Sequence, residues 1–289
     1  MAAEQIPLFT IPLDVVQDSA GYHTKNEPGE RQRQNIIDDL CSGFLLQATL
    51  QGAVHGTLTP GGDPATLLVM QFYFQGHTAK RRFRTAEIKI IFADQKSPLY
   101  ADPEVMGLWP QGDFSFNPSE VDVNDSKGGS AAITGGPPGV QLALSGSWTR
   151  NKDRKGNYRA SLKGARRIEG RDWGKQNVVR IILEENGDQK EGIIPSISTA
   201  ILLKRKAADA CFTAQVEVQA QSDIRYATAM RIRDLSGNSP VNDPVVFDPN
   251  CQPTMAVKDA SNLEGEKLES FVTAISTTVL PTIKNVDGV

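Results

Sequence analysis

Apolar and polar residues alternate one by one along several stretches of this chain. In residues 83–94, FRTAEIKIIFAD, Ala86, Ile88, Ile90 and Phe92 fall on one side while Thr85, Glu87 and Lys89 fall on the other. A period of two is the signature of a strand with one face in a core. The same alternation runs through Val140, Leu142, Leu144, Gly146 and Trp148, and through Phe212, Ala214, Val216 and Val218. Further strand-like runs begin at residues 44, 65, 156, 178, 198 and 224, so at least nine strands are expected.

Turn chemistry punctuates these runs: TPGGDP at 59–64, NKDRKGN at 151–157, ENGDQKEG at 185–192 and LSGNSP at 235–240. One turn per strand or hairpin predicts a mainly β fold, an antiparallel β-sandwich or barrel-like lobes, rather than alternating β and α units. The glycine-rich segment at 124–139, NDSKGGSAAITGGPPG, supplies little to bury and reads as a linker or long loop. It divides the chain into an N-terminal β-lobe (1–123) and a C-terminal β-lobe (140–289).

Two segments carry a helical period instead. Ser261 and Glu264 match a capping box, Leu268, Phe271, Val272, Ile275 and Val279 make an apolar stripe, and Pro281 supplies a stop, which predicts a C-terminal α-helix. A shorter helix is expected over 29–41, where Ile36, Ile37 and Leu40 share a face.

Composition narrows the function classes. The 289 residues carry a formal net charge of -3, which gives no global attraction to nucleic acid or to an anionic membrane. No run of about 18 apolar residues exists to make a membrane-spanning helix. The first 18 residues lack the cationic start of a secretory signal, and Cys41, Cys211 and Cys251 are too few and too widely spaced for a disulfide framework. A cytoplasmic protein without a membrane partner is expected.

No motif names a reaction. His23, His55 and His77 lack metal-ligand spacing, so no metal is expected. The nucleophile pattern GxSxG and the dinucleotide pattern GxGxxG are absent, and GRDWGKQ at 170–176 has the wrong glycine spacing for a phosphate loop. No cofactor is expected. Glu184, Glu185, Asp188 and Glu191 crowd one turn and read as solvated charge rather than an acid–base pair. Ten lysines and arginines lie between 150 and 175, a local positive stretch that could dock a protein or nucleic acid.

The aromatics point instead to an apolar ligand. Trp109, between Leu108 and Pro110, and Trp173, in GRDWGK, stand in loop-like segments, where indoles can wall a pocket; they are the expected substrate-binding residues. The catalytic residues are not legible.

The run VVRIILEENGDQKEGIIPSISTAILLKR at 178–205, with RRFRTAEIKIIFAD at 81–94, FTAQVEV at 212–218 and DPVVFDP at 243–249, resembles a group of β-rich filamentous-fungal proteins without assigned activity. The resemblance covers residues 65–250 and carries no catalytic signature. It implies a role in natural-product biosynthesis as a cofactor-independent cyclase, a Diels–Alder catalyst included, with norbornene-forming pericyclases of the sordarin type as one such class. Such a protein would hold an apolar substrate in a reactive conformer, which for ideal orientation removes about 7 to 11 kcal/mol of barrier. The alternative is a non-catalytic interaction module that docks a partner at an exposed sheet edge or on the basic stretch.

Overall fold

The computed structural model describes residues 24–41, 43–76, 81–96, 101–130, 147–187, 189–222 and 242–272, with backbone alone for 41, 116–130 and 147–159. Among these described residues eleven strands order as β1 (Asn35–Cys41), β2 (Phe44–Thr57), β3 (Pro64–Gly76), β4 (Thr85–Asp94), β5 (Glu104–Trp109), β6 (Gly112–Ser130), β7 (Ser147–Arg167), β8 (Val178–Glu184), β9 (Ser196–Lys204), β10 (Phe212–Gln221) and β11 (Val245–Phe247). They form two antiparallel sheets, β1-β2-β3-β9-β5 and β11-β10-β4-β8-β7-β6. The mainly β, antiparallel architecture is as expected.

Alternation shows where one face meets the other sheet. In β4 every second residue from Ala86 to Asp94 is buried, and in β10 Phe212, Ala214 and Val216 are buried between less covered neighbours. Their side chains meet Leu68, Met70, Phe72 and Phe74 of β3 and Ile197, Ile201 and Leu203 of β9 in one continuous core. Aromatic contacts lock this interior: Phe44 and Phe74 present to Phe83 at centroid distances of 5.0 and 5.7 Å, and Phe212 stacks on Phe247 at 5.0 Å.

Strands β3 and β9 read as unbroken apolar runs for a different reason. Both their faces are covered, because the C-terminal segment lies across the outer face of their sheet. Val54, Leu58, Leu67 and Leu202 pack there against Leu263, Met255, Leu268 and Phe271. Backbone bonds hold the segment in place, Thr254 N–H to the Ala53 carbonyl and Thr57 N–H to the Ala260 carbonyl, each 3.0 Å.

That segment corrects the expected helix as far as it is described. Residues 263–265 and 268–270 form two 3-10 turns. The Ser261 hydroxyl donates to the Asp259 carboxylate at 2.7 Å, Asn262 gives no side-chain cap, and Glu266 is extended between the turns. Leu268, Phe271 and Val272 still face the sheet. Ile275 and Val279 lie outside the described residues.

The helix expected over 29–41 is a second correction. Residues 35–41 pair with β2 as an edge strand, with a register shift between Asn35 and Ile37. Ile36 and Ile37 are both buried, while Leu40, on the expected helical stripe, is 59% exposed. Adjacent β-branched residues favour this extended edge.

Both sheets interleave strands from before and after the glycine-rich stretch, β4 beside β8 and β10, and β9 between β3 and β5. A division at 124–139 therefore cuts through shared sheets rather than between two lobes. Residues 124–130 belong to β6, and 131–139 lie outside the described residues.

Candidate functional site

The longest strand pairing among the described residues is between β6 and β7. Their register runs from Gly112↔Gly164 to Ser130↔Ser147, with one shift between Phe116 and Ser119. The shift brackets Asn117 and Pro118; a proline lacks the N–H a ladder needs, and a bulge bends the strand that carries it. On the sandwich side of this bulge Phe114 packs on the core, and β7 pairs with β8 from Ser161↔Glu184 to Arg167↔Val178. Beyond it, twelve residue pairs, 119–130 with 147–158, continue as a two-stranded ribbon with no third strand among the described residues.

The ribbon's root is held firmly. Arg166 of β7 reaches across to β5 and donates to the Val105 carbonyl at 3.0 Å and to the Met106 carbonyl. At Gly164 a side chain would overlap the Pro110 carbonyl, so only glycine lets β7 cross under the end of β5. The loop after β7 is pinned by Arg171 against Asp102 at 3.6 Å, a buried ion pair, and by Asn177, whose amide bonds the Glu169 backbone.

These contacts dispose of part of the basic stretch. Lys163 pairs with Glu184 at 3.5 Å, Lys175 with Glu104 at 3.6 Å, and Arg166 and Arg171 are consumed as described. Of the five basic residues from 160 to 175, these four are engaged in the fold and Arg167 is exposed. The acidic turn is likewise structural: Glu185 takes Arg82 at 2.7 Å and accepts from the Gly192 N–H, while Glu184 faces Lys163 and the Ser161 hydroxyl. Asp188 lies outside the described residues.

The two expected ligand-binding indoles go to different environments. Trp109 ends β5, meets Phe114 edge-on at 5.6 Å, and packs with Val69, Ala200 and Val272 beneath the C-terminal segment. Trp173 stands in the loop between β7 and β8 and is 64% exposed. His23 and His77 lie outside the described residues.

His55, on β2, occupies the other polar cluster. The Gln32 amide donates to its Nε2 at 2.7 Å, which leaves the proton on Nδ1 to donate to the Thr66 hydroxyl at 2.9 Å. Burial, then the nearby Arg205 cation, push its pKa down to about 4 against the pull of Asp248. Arg205 is buried and donates to the carbonyls of Ala65, Ala207 and Ala208. Both His55 nitrogens are engaged, so the ring is a neutral structural link between β2, β3 and the segment entering β1.

Strand addition needs backbone rather than a side-chain constellation, so alternation and motif spacing could not flag the ribbon. The available signal was charge: β6 is acidic and β7 basic by sequence, and the register sets Asp122 opposite Lys155 and Asp125 opposite Lys152.

No family model matches the sequence, and no curated protein does. Among solved structures the chain is similar to the membrane-inserted form of the NetB toxin of Clostridium perfringens, at 11% identity over 65% of this chain and 83% of that one, with a TM-score of 0.25. A likeness of that size carries no argument about this chain's activity.

Proposed function

We propose that the chain is an interaction module that recruits its partner by strand addition along the β6–β7 ribbon. The observation that carries this reading is the pair of edges left open among the described residues: there β6 is the last strand of its sheet, and residues 147–160 of β7 lie beyond the reach of β8. Unpaired backbone donors and acceptors along an extended edge are a ready template for another strand. A two-stranded ribbon is itself marginal in water, which favours completion by further strands. Cys211 and Cys251, both free thiols, support a cytoplasmic setting. A nucleic-acid partner loses the basic residues already paired inside the fold. The cyclase reading keeps the support of the resemblance alone, since Trp109 and Trp173 are packed and exposed respectively.

A synthetic peptide with the sequence of residues 147–160 tests the proposal. It is basic and should add to the acidic β6 edge, with saturable micromolar binding to the full chain that weakens as salt rises. Equal binding by a scrambled peptide, or none at all, contradicts the reading.

A further inference from the structure

Strand pairing brings together two thiols that stand far apart in the sequence. Cys211 is the residue before β10 and Asp248 the residue after β11, and the register Phe212↔Phe247 continued by one step sets them opposite each other. Residues opposite one another in an antiparallel pair aim their side chains to the same face, with Cβ atoms about 4.5 to 5.5 Å apart. The chain then turns back at once. The Cys251 N–H donates to the Asp248 carbonyl at 3.0 Å, and the Asp248 carboxylate accepts from the backbone N–H and the side-chain amide of Asn250, each at 3.0 Å. A turn closed in this way keeps its first and last Cα atoms within about 7 Å. Cys211 therefore faces the first residue of the turn, and Cys251 is its last.

Both cysteines are free thiols and both are partly exposed, so a small oxidant reaches them. Burial, then the Asp248 carboxylate, push the Cys211 pKa up against the pull of Arg31 and Lys96, and Cys251 adds to the upward push, as a neighbouring sulfur does. The Cys211 thiol is thereby kept protonated. The two residues also belong to different parts of the fold. Cys251 opens the segment that covers β3 and β9, and three residues on, Thr254 is bonded to Ala53 of β2 in both directions, its N–H to the carbonyl at 3.0 Å and its hydroxyl from the N–H at 2.8 Å. Cys211 leads into β10 of the other sheet, at the end opposite to β6. A bond between the two sulfurs fastens the covering segment to that second sheet and leaves the ribbon untouched.

We infer that Cys211 and Cys251 are an oxidant-responsive pair, closed by a hydroperoxide into a disulfide that clamps the C-terminal segment and reopened by thiol reductants. The peroxide transfers one oxygen to the Cys251 sulfur, giving a sulfenic acid and releasing water. The Cys211 sulfur then attacks the Cys251 sulfur: the S–S bond forms, the S–O bond breaks, and the departing hydroxide leaves as water with the Cys211 proton. The two thiols supply the two electrons that reduce the peroxide.

The test treats the full chain with hydrogen peroxide and reads intact mass, peptide maps made without reduction, and Tm. A loss of about 2 Da, a linked Cys211–Cys251 peptide and a Tm raised by about 5 to 10 °C are expected, all reversed by dithiothreitol. Cys211→Ser is expected to leave a sulfenic acid on Cys251 that dimedone traps, and Cys251→Ser to form no disulfide and show no rise in Tm. Cys41→Ser, which keeps the pair, should respond as the parent does. A disulfide made through Cys41, disulfides formed only between chains, or oxidation of each cysteine to a sulfinic acid without a bond between them overturns the inference. So does a linked pair whose Tm is unchanged, since the segment would then not be clamped.

Discussion

His55 Nδ1 lies 2.9 Å from the Thr66 hydroxyl across the β2–β3 ladder, and burial, with the Arg205 cation nearby, holds the ring in this link neutral. The consequence is a pH dependence of stability. An unfolded histidine titrates near its ordinary value of 6.5, whereas His55 is pushed down to about 4 in the fold. Between those values the unfolded chain binds more protons than the folded one, so stability rises with pH through this window and is lost as pH falls toward 4. The span corresponds to roughly 3 kcal/mol at its limit. Chemical denaturation across this range should show the slope, and His55→Gln should remove most of it; an unchanged slope in that variant contradicts the assignment.

Gly164 is predicted to be intolerant of any side chain. A methyl group there meets the Pro110 carbonyl, which is backbone and cannot swing aside. Gly164→Ala should cost about 1 to 3 kcal/mol, seen as a lowered Tm. The control is Gly61→Ala, where nothing lies within 4 Å, although the positive φ of 67° adds a smaller local strain. Equal losses at the two positions would show that crowding under β5 is unimportant.

The two indoles separate by environment. Trp109→Ala removes a ring packed on Phe114 and under the C-terminal segment, and should cost about 2 kcal/mol or more. Trp173→Ala, at a 64% exposed position, should stay within about 0.5 kcal/mol of the parent. Thermal melts of the two variants check both; a large loss at Trp173 would mean that the 168–177 loop is held by its indole rather than by Arg171 and Asp102.

How much of this was readable from sequence depended on what each strand faces. Strands β4 and β10 alternate because one face meets the core and the other meets charged neighbours, such as the Arg180–Glu87 pair at 2.6 Å beside β4. The apolar runs of β3 and β9 signalled strands without revealing the covering layer on their outer face. In β1, Ile36 and Ile37 are neighbours buried together, so spacing matched a helix where the register shift at Asn35 made an edge strand. The outer part of β6 left little trace. Its residues 119–130 hold only Val121 and Val123 among polar and glycine positions. A glycine-rich, polar strand is indistinguishable from a linker by composition. For the same reason the candidate site was invisible: it consists of backbone edges, and sequence patterns report side chains.

Proline scanning of β6 tests the account most directly. Successive residues of a strand aim their N–H groups to opposite sides, so of Asp125→Pro and Ser126→Pro one removes a bond to β7 and the other removes only an outward donor. Amide hydrogen exchange along β7 identifies which is which. The outward variant is predicted to keep β7 protected while binding of the 147–160 peptide falls at least tenfold. Undiminished peptide binding in that variant, with the ribbon intact, would contradict the claim that the open edge of β6 is the docking surface.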